Sequence, residues 1–545
     1  MKRSALALMP LLLAAGLPAL AAEDTLDARI RAQLDGDQSR ACVAVALIEG
    51  ERVQRRFHCA DPSDAGRIGA DTAFEIGSIS KTMAATLLAS LIADGMGSLD
   101  DRLADWLPAG TPVPDFKGEP IRLRHLVTHT SGLPRLPPVD MDAVDPANPY
   151  ATLTPAQVLA SLEQVTLSAA PGSGHAYSNY GTMLLSLAMV HRTGKSLAEL
   201  MKERLFAPLG MDGAHIGVLP AGLRLAQPHA GAGMPVPAWD MAPDLAGFGG
   251  VRATLEDMVH WARAQLGHAP QALQPALAMA RAPLHQQRPR MGMNWLMLPL
   301  DGRDVLMHNG ATGGSTSYMA VDRGAKRAVV VLSDSHWSET NGMDSFSQHL
   351  LDARLPGYRP HVRQPVPDGL LSRLTGRHVL ADMAIQLDEQ DGQLWLLADG
   401  EDPLELHHDS AGDFHPDGMD ARLSFKTAAD GTVSMVWHQA GQSIPLRPVQ
   451  DGAGTADLQL TAEQLQAYAG TYPLMPGFAL TVDHAAGQLR AQATGQGAFL
   501  LEAAGADVFL APEYGIRILF RRDGSGKVTA LVLEQGGSRR SAPRQ

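Results

Sequence analysis

From Leu374 to its C-terminus the chain repeats itself. The segment "LTGRHVLADMAIQLDEQDGQLWLLADG" from Leu374 aligns with "YAGTYPLMPGFALTVDHAAGQLRAQATG" from Tyr468, which is one residue longer. Further on, Phe414 matches Phe509, Arg422 matches Arg517, Phe425 matches Phe520 and Val433 matches Val528, all at an offset of 95. Both copies are short β-type runs separated by Gly and Asp, and so many strand edges need closure to be protected. Two copies are too few for an open solenoid. The expectation is two small all-β, barrel-like domains, 366–450 and 458–545, joined at the Gly-rich "DGAGTAD" (451–457) and preceded by the Pro-rich bridge "LPGYRPHVRQPVPDG" (355–369).

The region before the bridge, 23–358, has a different texture. At its start, "CVAVALIEGERVQRRFHC" (42–59) reads as a β-hairpin turning at Glu49-Gly50-Glu51. At its end come "MNWLMLPL" and "DVLMHN" around Asp301-Gly302, then "STSYMAV" (315–321) and "RAVVVLS" (327–333). Between them lie helical patterns over 80–94, 155–164, 179–192 and 255–266. The simplest architecture is an α/β domain: one antiparallel sheet built from both ends of the region and flanked by helices from its middle. With 545 residues, 45% hydrophobic and 19% charged, the chain has enough apolar material for such a domain and for two more cores.

The N-terminus, "MKRSALALMPLLLAAGLPALAAEDT", has two basic residues, an apolar run broken by Pro10, and small residues through Ala22. This is the three-part form of a secretory signal peptide, 1–22, and predicts a periplasmic or secreted protein with no stable membrane anchor. Loss of Lys2 and Arg3 with the signal takes the formal charge from −13 to −15, and no basic stretch remains to track a phosphate backbone, so nucleic acid is not an expected partner. No residue pattern assigns an oligomeric state. The two cysteines, Cys42 and Cys59, come together if the hairpin folds about Gly50. An oxidising compartment then permits a disulfide, the alternative being two buried thiols, and strand register decides between them.

Three stretches carry groups suited to acyl-transfer chemistry. In "FEIGSISKTMAATLLASLI" Ser78 precedes Lys81 by three residues at the start of a helical pattern. Such spacing lets a lysine amine take a serine hydroxyl proton beside the positive end of a helix; the other reading is a helix-capping serine and a solvated lysine. In "PGSGHAYSNYGTMLLSLAMV" Tyr177 and Asn179 follow a turn. A phenol beside an ammonium is expected to have a lowered pKa and to shuttle protons, while the amide holds a substrate carbonyl and the lysine together. In "MHNGATGGSTSY" glycines allow close approach to the backbone. There the N–H of Ala311, after Gly310, can pair with that of Ser78 as an oxyanion hole, with His308 binding the far end of a substrate. Taken alone, these are a strand edge, a surface histidine, a turn tyrosine and a helix cap.

Together the three resemble the signatures of the penicillin-recognising serine hydrolases: class C β-lactamases, low-molecular-weight DD-peptidases, D-aminopeptidases and related esterases. Ser78-Ile79-Ser80-Lys81 matches Ser-x-x-Lys, Tyr177-Ser178-Asn179 matches Tyr-x-Asn, and His308-Asn309-Gly310 matches Lys/His-x-Gly. "LRHLVTHTSGLP" (123–134), "LFAPLGM" (205–211) and "GFGGVRATLEDM" (247–258) are family-like too, and the resemblance covers about 40–356. It implies a class C β-lactamase-like fold in which Ser78 attacks an acyl carbonyl, Lys81 and Tyr177 move the proton, and water releases the acyl-enzyme. Implied substrates are a β-lactam, a D-amino-acid peptide such as a cell-wall peptide, or a small ester. Class C β-lactamases usually have Lys where His308 stands, and a neutral imidazole holds a carboxylate less strongly. The histidine form and the two trailing β-domains look like D-aminopeptidases; a penicillin-binding receptor that acylates without turnover is the non-enzymatic alternative. His125 and His129 have an i, i+4 spacing but no acidic support, and "GATGGS" lacks the Lys and helix of a phosphate loop. No metal, nucleotide or other cofactor is expected.

Overall fold

The computed structural model describes residues 25–545 apart from 36, 38–39, 140–143, 168, 231–232, 336–341, 359–362, 382, 399–402, 417–420, 429, 440–441, 449–459, 476–477, 486, 496, 506, 512–513, 515, 524–525 and 536–537. The signal-peptide segment and the "DGAGTAD" junction lie outside the described residues. No helix among the described residues is long and apolar enough to cross a membrane.

A six-stranded sheet organises the N-terminal region. Its order is Leu296–Leu300, Arg303–Ala311, Thr316–Asp322, Arg327–Ser333, Cys42–Glu49, Arg52–Cys59. All neighbours are antiparallel, and the two ends of the region meet where Val43 pairs with Ser333 and Glu49 with Arg327. The hairpin closes through Gly50-Glu51, with Gly50 at φ 59°, a left-handed conformation that favours glycine. Its register sets Cys42 opposite Cys59 with Cα atoms 3.9 Å apart, and the two sulfurs are bonded.

Strand Cys42–Glu49 is apolar at nearly every position because both of its faces are covered. Cys42, Ala44, Ala46 and Ile48 enter a large core with Phe74, Leu87, Leu88 and Trp261. Val43, Val45 and Leu47 enter a second core with Leu26, Ile30, Phe346 and Leu350. Helices Thr25–Leu34 and Met343–Leu351 supply the second core, while Ser80–Ala93 and Leu255–Leu266 supply the first. Each fully buried Leu, Val or Phe is worth ~1.5–3 kcal/mol, and a disulfide closing a loop of this size ~3 kcal/mol. Two-sided burial therefore dominates the stability of the domain, and the disulfide chiefly secures the hairpin.

The C-terminal strands follow the repeat. Eight strands from Gly376–Leu380 to Gln442–Pro448 pair in sequential order as a closed barrel. Eight more, from Gly470–Met475 to Ser538–Pro543, pair in the same sequential order. In this second copy Tyr468, Tyr472, Phe509 and Phe520 pack edge to face and tilted, with ring centroids 4.8–5.7 Å apart.

Candidate active site

Ser78 occupies a short 3-10 turn, Gly77–Ile79, between strand Thr72–Glu75 and helix Ser80–Ala93. It does not cap that helix, which has no side-chain cap; Ser80, fully buried, instead accepts a hydrogen bond from the Val251 N–H at 3.2 Å. The capping alternative is thereby removed. Two glycines bring the turn against strand Arg303–Ala311. A Cβ on Gly77, at φ 49°, would stand 2.7 Å from the Ala311 nitrogen. A Cβ on Gly310 would stand 2.2 Å from the Ile76 carbonyl oxygen and 2.9 Å from the Ser78 nitrogen. Backbone thus meets backbone here, with the Ser78 and Ala311 amides on adjoining edges. The Ser317 hydroxyl donates to the Ile76 carbonyl at 2.8 Å. Glu75, 5% exposed, accepts from the Thr312 hydroxyl at 2.9 Å and the Trp239 N–H at 2.7 Å, and burial raises its pKa. Its carboxylate therefore ties the strand leading into Ser78 to the turn that follows Ala311.

Lys81 is fully buried in the first helical turn, with Nζ 2.9 Å from Ser78 Oγ and donating to the Phe248 carbonyl. Burial, and then the nearby Arg135 cation, push its pKa well below the usual lysine value. A lysine held this way has a free amine to offer. Tyr177 donates its hydroxyl hydrogen to Ser78 Oγ at 2.8 Å. Its pKa is pushed up to about 12 by burial, against the lowering expected from a neighbouring ammonium. The reason is that Lys81 is desolvated too: a site that disfavours the ammonium provides little charge to stabilise a phenolate. The resting arrangement is therefore an amine, a hydroxyl and a phenol in line.

His129 holds Tyr177 from three directions. Its carbonyl accepts from the Ala176 N–H at 2.7 Å and its Nδ1 from the Ser178 N–H at 3.2 Å, while its ring lies on the phenol ring at a centroid distance of 4.3 Å. The proton therefore sits on Nε2, and burial above all lowers the pKa of the ring well below the usual imidazole value. His125 has a separate task, accepting from the Arg122 N–H through Nδ1 at the start of helix Leu123–Val127.

Asn179 is the first residue of helix Asn179–Thr193; its side chain bonds Tyr150, and its Oδ1 is buried without a partner. Lys81 is hydrogen-bonded to Ser78 and Phe248, so Asn179 does not hold the lysine here. His308 is only 3% exposed and donates from Nδ1 to the Asn309 carbonyl at 2.6 Å. Burial above all lowers its pKa to about 4. Its ring is a buried neighbour of the lysine, which removes the surface-histidine reading of this strand edge. The structure thus gathers Ser78, Lys81, Tyr177, Gly310 and Ala311, sets Asn179 beside them, buries His308, and bonds Cys42 to Cys59 on the hairpin.

Three neighbours of the site are not assigned to it by the sequence. Glu75 shows only as a charge inside the apolar run Phe74-Glu75-Ile76, and His129 as half of an i, i+4 pair. Arg135 follows directly on a family-like stretch and shows no signal of its own.

Similarity to known proteins agrees with this geometry. The Beta-lactamase family model matches residues 26–348. A second, Domain of unknown function (DUF3471), matches residues 457–541. The D-alanyl-D-alanine-carboxypeptidase/endopeptidase AmpH of Escherichia coli (strain K12) is 31% identical over 338 residues, 59% of this chain and 86% of AmpH. Penicillin-binding protein 4 of Amycolatopsis lactamdurans is 30% identical over 318 residues, 54% of this chain and 80% of that protein. Esterase EstB of Burkholderia gladioli is 31% identical over 177 residues, 31% of this chain and 45% of the esterase. The fold is that of a penicillin-recognising serine hydrolase followed by two barrel-like domains. This chain belongs to the Beta-lactamase family and is a serine hydrolase.

Proposed function

We propose that this protein is an exported hydrolase that forms an acyl-enzyme at Ser78 and cleaves a D-amino-acid peptide bond. The observation that carries the reading is the placement of Ser78 Oγ 2.9 Å from Lys81 Nζ and 2.8 Å from the Tyr177 hydroxyl. In this mechanism the Lys81 amine takes the hydroxyl proton as Oγ attacks the carbonyl carbon. The Ser78 and Ala311 N–H groups receive the developing oxyanion. The proton returns through the Tyr177 hydroxyl to the leaving nitrogen, and water then releases the acyl group. D-alanyl-D-alanine peptides are the favoured substrates, in line with the name of AmpH, which this chain covers over 86% of its length. With a neutral His308, β-lactams are expected to acylate readily but turn over weakly. Residues 23–358 form the catalytic domain of this proposal, 366–450 and 458–545 the trailing domains, and 1–22 the cleaved signal.

Intact-protein mass spectrometry tests the reading. Incubation with a penicillin, a p-nitrophenyl ester and an acyl-D-alanyl-D-alanine is expected to give an acyl adduct or turnover in the wild type and neither in Ser78→Ala. Full hydrolysis by Ser78→Ala sinks the assignment, and a permanent adduct with every compound points to a receptor.

A further inference from the structure

The acyl-enzyme reading leaves open which group receives an anionic end of the substrate. Two other basic side chains of the site are less available for that task. Lys81 is fully buried and bonded to Ser78 and Phe248, and the His308 side chain is 3% exposed and donates from Nδ1 to a backbone carbonyl. Arg135 is different. It is exposed, with Cζ 5.4 Å from the Tyr177 ring centroid. Its side chain has no ion pair or hydrogen bond among the described residues. In a chain of formal charge −13 with many arginine–carboxylate pairs, a guanidinium with no carboxylate partner among the described residues, lying over the tyrosine that contacts Ser78, stands out.

Its position is set by the backbone. The Arg135 carbonyl accepts from the N–H groups of Asn179 at 2.9 Å and Tyr180 at 3.2 Å. The preceding carbonyl, of Pro134, accepts from the Ser178 hydroxyl at 2.7 Å. Residues 134–135 are thus clipped onto the Tyr177-Ser178-Asn179 motif, so the guanidinium is carried on the same frame as the phenol that contacts Ser78. Close by, Asn179 Oδ1 is buried and unpartnered. We propose that Arg135 is a substrate-binding residue that receives a carboxylate of the substrate across the face of Tyr177. Guanidinium and carboxylate match as a planar, two-pronged pair, which a point charge or an imidazole does not offer. The substrate class this names is an acyl compound with a free carboxylate close to the scissile bond. The inference rests on Ser78 being the nucleophile.

The test uses acyl-D-alanyl-D-alanine and its C-terminal amide, which differ only in that charge, with the full-length wild type, Arg135→Gln and Arg135→Lys. Each is assayed on the plateau of its own pH profile, directly for kcat and KM and as a competitor of p-nitrophenyl ester hydrolysis. The wild type is expected to prefer the acid. Arg135→Gln should lower the acid-to-amide ratio of kcat/KM at least ~10-fold, chiefly through KM, since a charge-assisted hydrogen bond of this kind is worth more than one tenfold step. Arg135→Lys should restore part of it. Equal losses on acid and amide overturn the assignment, leaving Arg135 an electrostatic neighbour of Lys81 and Tyr177. So does an unchanged ratio, or an acid that neither reacts nor competes. Ser78→Ala assayed in parallel keeps the two claims apart, because ester hydrolysis surviving in it refutes the nucleophile whatever Arg135 does.

Discussion

A fully buried lysine among Ser78, Phe248 and Tyr177 is costly to keep. Unfolded, it binds a proton at all pH values below its ordinary pKa of 10.5; folded, its pKa is depressed by burial. Between the depressed value and 10.5 the unfolded state therefore holds more protons, and stability rises with pH across that window. Lys81→Met is expected to lower kcat/KM by ~100-fold or more while raising the melting temperature. Scanning calorimetry should show that gain shrinking as pH is raised towards 10.5; a gain independent of pH would refute the buried neutral amine. His129 gives a second prediction. Asn keeps an acceptor at the Nδ1 position and tolerates the left-handed φ of 53° found there. Phe keeps a ring for Tyr177 but strands the Ser178 N–H, a loss of ~1–3 kcal/mol. Kinetics should find kcat much lower in His129→Phe than in His129→Asn, with KM nearly alike, whereas equal damage would mean that bulk alone matters.

At the scale of elements, the site is a junction between a turn and a strand edge. Strand Arg303–Ala311 approaches the Gly77–Ile79 turn so closely that a methyl group at Gly310 has no room. Gly310→Ala is expected to move the Ala311 amide away from the Ser78 turn and to cost ~100-fold or more in kcat, the usual toll of losing one oxyanion donor. Circular dichroism and melting temperature check that the sheet persists, and near-normal kcat would exclude the Ser78 and Ala311 amides as the oxyanion hole. The Glu75 carboxylate ties this junction together, since it binds the turn after Ala311 and the Trp239 amide at once.

At the scale of the molecule, the second β-copy has an apolar core of its own, with Leu465, Tyr468, Tyr472, Phe509, Ile518 and Phe520 all buried. A fragment of residues 458–545 is therefore expected to fold alone, with a β-type far-UV spectrum and a cooperative thermal transition; a broad, non-cooperative melt would remove it as a unit. The repeat behind this expectation is legible in the sequence because barrel strands follow one another, so pattern and neighbour relations coincide. The six-stranded sheet is legible for a related reason. Alternation in the hairpin and in the runs at the far end marks strands, and antiparallel closure through Val43 and Ser333 needs only that the ends meet. Ser78, Lys81 and Tyr177 could likewise be singled out by residue type and spacing, because the serine and the lysine sit one helical turn apart and the tyrosine opens its own short motif. What tertiary structure alone decided is environment. Spacing does not reveal that Lys81 and His308 are buried and their pKa values lowered, that Tyr177 is driven up to about 12, or that Asn179 turns to Tyr150. Nor does it show that His129 and Arg135 converge on one tyrosine from a distant segment. The sequence determined which groups are present and which strands alternate, since those depend on local period and chemistry. Charge state and proximity depend on what surrounds each group in space, and only packing sets that.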